Sequence, residues 1–146
     1  MKNLPIFISL FFYTLSLASP TFLFIETHYN FSSSWIGPSP AVWRGLTVLL
    51  MGWLGFVILQ FGWLANPLYY LSLYFLWASR WRAVIISSGI AIVIAIVNTL
   101  LLFQQTVPGD VMGFSRLNLQ RLKLGYYLWA TALLIPLVWS LIKQRE

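Results

Sequence analysis

The chain has 146 residues, of which 8% are charged, 60% hydrophobic and 18% aromatic, and its net charge is +6. A soluble domain carries about 25% charged residues, so this composition excludes an ordinary soluble fold and indicates an integral membrane protein. The nine basic residues never form a dense run, which argues against nucleic acid, and the lack of cysteine excludes disulfides and thiolate metal sites. We expect one membrane domain over 1–146, with no cofactor or metal.

The first hydrophobic segment covers 4–25 and is long enough for one crossing, which needs about 20 apolar residues. Its Ala18-Ser19-Pro20 triplet also fits a signal-peptide cleavage site. The apolar run continues for several residues beyond that triplet. The sequence therefore favours an uncleaved transmembrane helix.

The second and third hydrophobic segments, 45–64 and 67–79, lie close together. The second is long enough to cross a bilayer, whereas the third is too short for an apolar core of about 30 Å. Asn66-Pro67 is typical of a helix start, with Asn66 as N-cap and Pro67 in the first turn. If the turn instead lies near Gln60, the region makes two short crossings.

The fourth and fifth segments, 83–103 and 125–142, are further spanning helices. The sequence thus predicts an all-α integral membrane protein, a bundle of four spanning helices plus one short helix starting at Asn66-Pro67. Five spanning helices are the alternative.

The basic residues nearly balance between the two sides of either topology. Four crossings with both termini cytoplasmic place five of them inside: Lys2, Arg80, Arg82, Lys143 and Arg145. The remaining loops, 26–44 and 104–124, then lie outside. The first loop is rich in turn residues, and the alternation of leucine with polar residues in the second breaks at Arg121, so a segment in the headgroup layer is expected.

One face of the fourth segment predicts close helix packing. Ser87, Ala91 and Ala95 recur at a spacing of four residues, and small residues there let another helix backbone approach. Gly52 and Gly55 on the second segment are candidates for the matching groove. Asn98 lies within an apolar run, where an amide facing lipid is costly, so it is expected to face a partner helix or a wet cavity.

Aromatic and basic residues near the helix ends predict anchors at the lipid headgroups. They form three groups, namely Arg80-Trp81-Arg82, the basic loop residues Arg116, Arg121 and Lys123, and the aromatic residues Tyr126, Tyr127 and Trp129 at the start of the last helix. Anionic headgroups are the expected partners of the cations.

No charged residue or histidine lies in the interior of a predicted helix, which argues against proton-coupled transport. The sole histidine, His28, has only Glu26 nearby as a partner, and general-base or metal chemistry needs a second suitable group. We therefore do not expect an enzyme.

Three short motifs occur in order along the chain: Trp63-Leu64-Ala65-Asn66-Pro67-Leu68, Arg80-Trp81-Arg82-Ala83 and Gly125-Tyr126-Tyr127-Leu128-Trp129. Together they resemble a loose group of small uncharacterised bacterial inner-membrane proteins. The resemblance implies a bacterial cytoplasmic membrane and a helix-hairpin plan, and it carries no activity.

The functional expectation is an accessory or structural subunit that packs against other membrane protein subunits. Small size, high aromatic content and the lack of catalytic clusters favour it. The alternative is a small homo-oligomeric channel or facilitator, with Asn98, Gln60 and Asn66 along a polar path.

Overall fold

A computed structural model of the protein describes residues 3–29, 35–109 and 114–145. These residues form a mixed α/β fold with five α-helices and one four-stranded antiparallel sheet. The helices are α1 (Leu4–Ala18), α2 (Gly45–Met51), α3 (Ala65–Trp77), α4 (Trp81–Gln104) and α5 (Leu124–Arg145). The strands are β1 (Pro20–Tyr29), β2 (Trp35–Arg44), β3 (Val107–Pro108) and β4 (Ser115–Leu122). The all-α prediction is therefore wrong.

The first predicted segment divides into a helix and a strand at Pro20. Ser19, the residue before proline, has φ −88° and ψ 152°, an extended conformation, because the proline ring disfavours a helical conformation there. The following residues are rich in aromatic and β-branched side chains, which suit a strand. A single helix over 4–25 is thus replaced by α1 and β1.

The second predicted segment is also not one helix. It contains α2, then two 3₁₀ segments, Gly52–Ile58 and Gly62–Leu64, separated by a turn at Leu59 with φ 59°. Gly52 lies so close to Trp63 that a Cβ would be 2.9 Å from its ring. We call residues 52–64 the broken segment, because it folds back on itself where a continuous helix was predicted.

Both predicted loops contain strands, and the sheet order is β2-β1-β4-β3. In β4 the leucines contribute to a hydrophobic cluster, and polar residues lie between them, including the exposed Arg116 and Arg121. Leu23 pairs with Arg121 and Phe24 with Leu119, so Gln120 is an extra residue that forms a β-bulge. The break in the alternation at Arg121 is therefore a bulge in a strand, and the prediction that this segment is not a strand is wrong.

The sheet lies at one end of the helical bundle, because α1, α2, α4 and α5 each join a strand at that end. Two backbone hydrogen bonds hold these junctions together, from Gly45 N–H to the Ser19 carbonyl at 3.1 Å and from Lys123 N–H to the Thr21 carbonyl at 2.9 Å. The opposite end carries the α3–α4 turn and the end of α5.

The bundle core contains aromatic, aliphatic and alanine side chains together with hydrogen-bonded polar groups. Ser9 of α1 lies 2.8 Å from the hydroxyl of buried Tyr69 in α3 and donates to the Ala132 carbonyl of α5 at 2.8 Å. A second cluster forms beneath the sheet from Phe22, Phe24, Leu117 and Leu119. The two clusters border the site described below.

Within the described ranges, two helices are long and apolar enough to cross a membrane, α4 with 24 residues and α5 with 22. They match the predicted segments 83–103 and 125–142 closely. Helix α1 has 15 residues, or about 22 Å at 1.5 Å per residue, which is shorter than a bilayer core of about 30 Å. The predicted four or five crossings, and with them a multi-pass bundle, are not supported by the structure.

Candidate functional site

A cavity of about 680 Å³ lies between the sheet and the helical bundle. The sheet contributes Phe24 and Trp43 to its wall, and α4 contributes Asn98 and Leu102. Helices α1, α2, α3 and α5, together with the broken segment, also contribute to it. Small-ligand sites in proteins usually enclose roughly 300–1,000 Å³, so the cavity is of the size expected for one.

No charged side chain lines this cavity within the described part of the chain. Its wall is formed mainly by aliphatic and aromatic side chains. The polar exceptions are neutral hydroxyl, indole and amide groups: Tyr13, Ser16, Thr21, Trp43, Gln60, Trp63, Asn66, Asn98, Thr99 and Trp129. Such a wall suits an apolar ligand with few polar atoms.

Asn66 connects three elements at one side of the cavity. Its Oδ1 accepts hydrogen bonds from the Tyr13 hydroxyl of α1 and the Trp129 indole N–H of α5, both at 3.0 Å. Its Nδ2 donates to the Trp63 carbonyl at 3.2 Å. Burial raises the pKa of Tyr13 above its usual range, so the phenol remains a neutral donor. Asn66 lies inside α3 and is not the predicted N-cap.

Gln60 lies at the end of the turn in the broken segment and is only 5% exposed. Its Nε2 donates to Gln105 Oε1 at 2.5 Å, whereas its Oε1 is buried and has no hydrogen-bond partner among the described residues. Buried acceptors are normally satisfied, by protein or by a bound molecule. Gln60 therefore lines the cavity, while its Oε1 is enclosed by protein atoms and unpaired among the described residues.

Asn98 of α4 lies close to Gln60, because it contacts Phe61, the residue that follows Gln60 in the chain. Its Oδ1 accepts the Phe61 N–H at 2.8 Å, and its Nδ2 lies against Gly62, where a Cβ would be 2.6 Å away. Within the described ranges, no acceptor for this Nδ2 is seen. Gln60 and Asn98 thus both line the cavity, and Asn98 bonds to the residue that follows Gln60.

Several residues that line the cavity are also exposed, mainly apolar side chains of α2 and the broken segment, together with Pro108 and Gly109 beside the sheet. Met51, Leu54 and Val57 line the cavity and are also exposed on the surface, Val57 to 83%. A mouth made of such residues is stable only against an apolar medium or a covering partner. This geometry favours entry from a lipid phase.

The predicted packing face of α4 lies inside the protein. Ser87, Ala91 and Ala95 are buried, and the two alanines belong to the bundle core. Gly52 and Gly55 do not form the matching groove, because their nearest neighbours are Trp63 and Gln60 of their own segment. Both glycines instead line the cavity, as do Ala95 and Asn98.

The predicted basic anchors separate to the two ends of the bundle. Arg80 and Arg82 are exposed at the end opposite the sheet, and Trp81 between them packs against the bundle core. Arg116 and Arg121 are exposed on β4, and Lys123 is half-buried just before α5. The structure therefore brings the residues within each group together and keeps the groups apart.

The three aromatic residues at the start of α5 have different environments. Tyr127 is exposed, whereas Tyr126 packs on Phe22 of the sheet cluster with ring centroids 6.0 Å apart. Trp129 bonds to Asn66 and lines the cavity, so it is a site residue and not a surface anchor. All three are aromatic residues, and the sequence alone does not show which of them is exposed and which lines the cavity.

His28 and Glu26 lie on β1 outside the cavity wall, with His28 Nε2 and Glu26 Oε2 3.7 Å apart. No group of three or more potential metal ligands occurs in the part of the chain that the structure describes. The polar groups in the cavity wall are neutral side chains that can form hydrogen bonds.

Comparisons with protein-family profiles, with curated proteins and with solved structures find no match to this chain. The cavity and the two long apolar helices are therefore the observations from which function is inferred.

Proposed function

We propose that this protein is held in a membrane by α4 and α5 and binds a small lipid-class ligand in its cavity. The observation that carries the proposal is the uncharged cavity of about 680 Å³ whose mouth consists of exposed apolar side chains. A ligand that enters there comes from an apolar medium, and the membrane around the protein supplies both the medium and the ligand.

The surface of α4 supports embedding in a bilayer. Ile86, Val93 and Leu100 are exposed along its length, and no charged residue follows Arg82 within the helix. The cations at the helix ends, Arg80 and Arg82 at one end and Arg121 at the other, suit contact with anionic headgroups. We expect the protein to remain in the membrane pellet after an alkaline carbonate wash. Release into the supernatant would contradict embedding.

Filling the cavity should abolish ligand binding. Val48 of α2 is half-buried and lines the cavity, so Val48→Trp places an indole in the space that the ligand needs. We expect photo-crosslinking of a diazirine-bearing hexadecanol to fall by about tenfold or more, which corresponds to about 1.4 kcal/mol. The measurement uses protein in phospholipid nanodiscs and maps the crosslinked peptides by mass spectrometry.

Thr47→Trp is the matched control, because Thr47 adjoins Val48 on α2 but is exposed and does not line the cavity. It should keep crosslinking at the wild-type level. Equal crosslinking of the wild type and both variants would place the probe outside the cavity and contradict the proposed function.

The accessory-subunit hypothesis remains a prediction, and one observation supports it. Phe7, Phe11 and Leu15 form an exposed apolar stripe along α1, a helix too short to span a bilayer. Another membrane protein subunit is a suitable cover for this stripe. Purification in mild detergent tests the hypothesis, since a stoichiometric heterologous partner should co-elute.

The channel alternative remains a prediction, and the predominantly apolar wall of the cavity that Gln60, Asn66 and Asn98 line favours an apolar ligand over a polar path. Location in a bacterial inner membrane likewise remains a prediction.

A further inference from the structure

We infer that residues 45–64, which comprise α2 and the broken segment, form an apolar hairpin that inserts into the membrane leaflet nearest the sheet. The partner of this surface is the acyl chains of that sheet-side leaflet, and the ligand of the cavity enters from among them. This inference rests on the proposed function and deepens it, because it names the surface and the leaflet through which the ligand is taken up.

The apolar hairpin is held together by hydrogen bonds within it. The Trp63 indole N–H donates to the Leu49 carbonyl and the Gln60 N–H donates to the Gly55 carbonyl, both at 2.8 Å. In an apolar medium, polar groups must find their partners within the protein. These bonds supply such partners on both sides of the turn.

The surface of the apolar hairpin is almost entirely apolar. The sequence contains no charged residue between Arg44 and Arg80, and Val57 and Leu59 at the turn are 83% and 72% exposed. A continuous exposed apolar surface marks contact with lipid or with a partner. Its exposed apolar side chains are Leu46, Leu50, Met51, Trp53, Leu54, Phe56, Val57, Leu59 and Phe61.

The apolar hairpin lies near the sheet end of the bundle. It begins at Gly45, which bonds to the end of α1 beside the sheet. Its Phe61 N–H bonds to Asn98, which precedes the end of α4 at Gln104 by about 9 Å at 1.5 Å per residue. These contacts lie within less than half of an apolar core of about 30 Å. A hairpin in this position reaches one leaflet only.

Lipid is the cover that fits this surface. Val97 and Leu100 lie on α4 next to the contact at Asn98 and are exposed, so the acyl chains that surround α4 also reach the apolar hairpin. Arg44, exposed directly before the hairpin, suits contact with a headgroup where the chain leaves the sheet.

The apolar hairpin also forms part of the cavity wall. The exposed wall residues are Met51, Leu54 and Val57 of the hairpin and Pro108 and Gly109 beside the sheet. All of them lie toward the sheet end, whereas the packed bundle core borders the cavity on the other side. The route from lipid into the cavity therefore starts in the sheet-side leaflet.

Nitroxide labels test the contact with lipid, and the chain suits them because it contains no cysteine. Val57→Cys labels the apolar hairpin, Val93→Cys on α4 is the lipid reference, and Ser39→Cys on β2 is the water reference; all three residues are exposed. Electron paramagnetic resonance in phosphatidylcholine nanodiscs measures collisions with oxygen and with a polar nickel chelate. We expect the ratio of oxygen to nickel collisions at Val57 to lie within about twofold of that at Val93 and at least about fivefold above that at Ser39.

Two results at Val57 would overturn the inference. A ratio equal to that at Ser39 would place the apolar hairpin in water, and exclusion of both reagents would place it beneath a protein. A ratio at Val93 equal to that at Ser39 would instead contradict embedding of α4, and with it the proposed function.

A probe confined to one leaflet tests the leaflet. A diazirine-bearing lysophosphatidylcholine is added to the outside of phosphatidylcholine vesicles that contain the Ser39→Cys protein, and is crosslinked there. An impermeant biotin maleimide labels only the molecules whose sheet faces outward, and streptavidin separates them after solubilisation. We expect crosslinks within 45–64 to be at least about fivefold more frequent in these molecules than in the remainder.

Ile86 and Ile90 are the control within the same chain, because they are exposed on the half of α4 away from the sheet. Their crosslinks should show the opposite preference. Equal crosslinking of the apolar hairpin in both populations, with the preference at Ile86 retained, would overturn the leaflet assignment and leave the proposed function intact. A lack of crosslinks anywhere on α4 would contradict the proposed function itself.

Discussion

Replacing Asn66 with leucine is expected to lower the free energy of unfolding by roughly 2–4 kcal/mol. Asn66 is only 8% exposed, and its Oδ1 accepts from both the Tyr13 hydroxyl and the Trp129 indole. Leucine has a similar volume but no acceptor, so two donors in a largely apolar region lose their partner at about 1–3 kcal/mol each. Because the lost hydrogen bonds connect α1 and α5 to α3, the substitution weakens the contacts among all three helices.

Thermal or denaturant unfolding in mild detergent, followed by circular dichroism, measures the effect. Asn118→Leu is the control, because Asn118 lies on β4 and the same substitution there removes no described side-chain hydrogen bond. Adding Tyr13→Phe should cost less in the Asn66→Leu background than in the wild type, since the donor has already lost its acceptor. Strictly additive effects would show that the two side chains are not energetically coupled.

The long helices were predictable because their signal is local and continuous. The segments 83–103 and 125–142 are apolar runs without a turn motif, and both became single helices, α4 and α5. Pro136 lies within α5 without ending it.

The sheet was missed although two signals for it are present in the sequence. Pro20 marks the end of α1, and the Thr21–Ile25 run after it is typical of a strand, but the total apolar length was read as one crossing. In β4 the alternation of leucine and polar residues was rejected because of its irregularity at Arg121. A single bulge at Gln120 accounts for that irregularity.

The cavity could not be predicted from the sequence, because its wall joins distant parts of the chain. Asn98 was expected to face a partner helix or a wet cavity, and its bond to the Phe61 backbone and its place in the wall fit that expectation. Gln60 was named with Asn98 and Asn66 only in the channel alternative, and its burial depends on the turn at Leu59. Trp129 was predicted as an anchor, because its bond to Asn66 is a tertiary contact that the sequence does not show.

Substituting Gly45 with alanine is expected to destabilise the protein by about 1–3 kcal/mol. Gly45 begins α2 directly against the end of α1, where a Cβ would overlap the Ser16 carbonyl and lie 2.9 Å from Leu17 Cα. Both neighbours are backbone atoms and cannot rotate away, so α1 and α2 would have to separate. Gly45 and Ser16 also line the cavity, so the same separation should weaken crosslinking of the alkyl probe.

Gly89→Ala is the matched control within the same chain. A Cβ at Gly89 has no heavy atom within 4 Å, and Gly89 lies inside α4, where alanine is favoured over glycine by about 0.5–1 kcal/mol. The identical substitution should therefore stabilise the protein at one site and destabilise it at the other, as read from the unfolding midpoints in detergent. Equal midpoints for the two variants would mean that α1 and α2 are not in contact at Gly45, and the wall of the cavity would then lack its support at this junction.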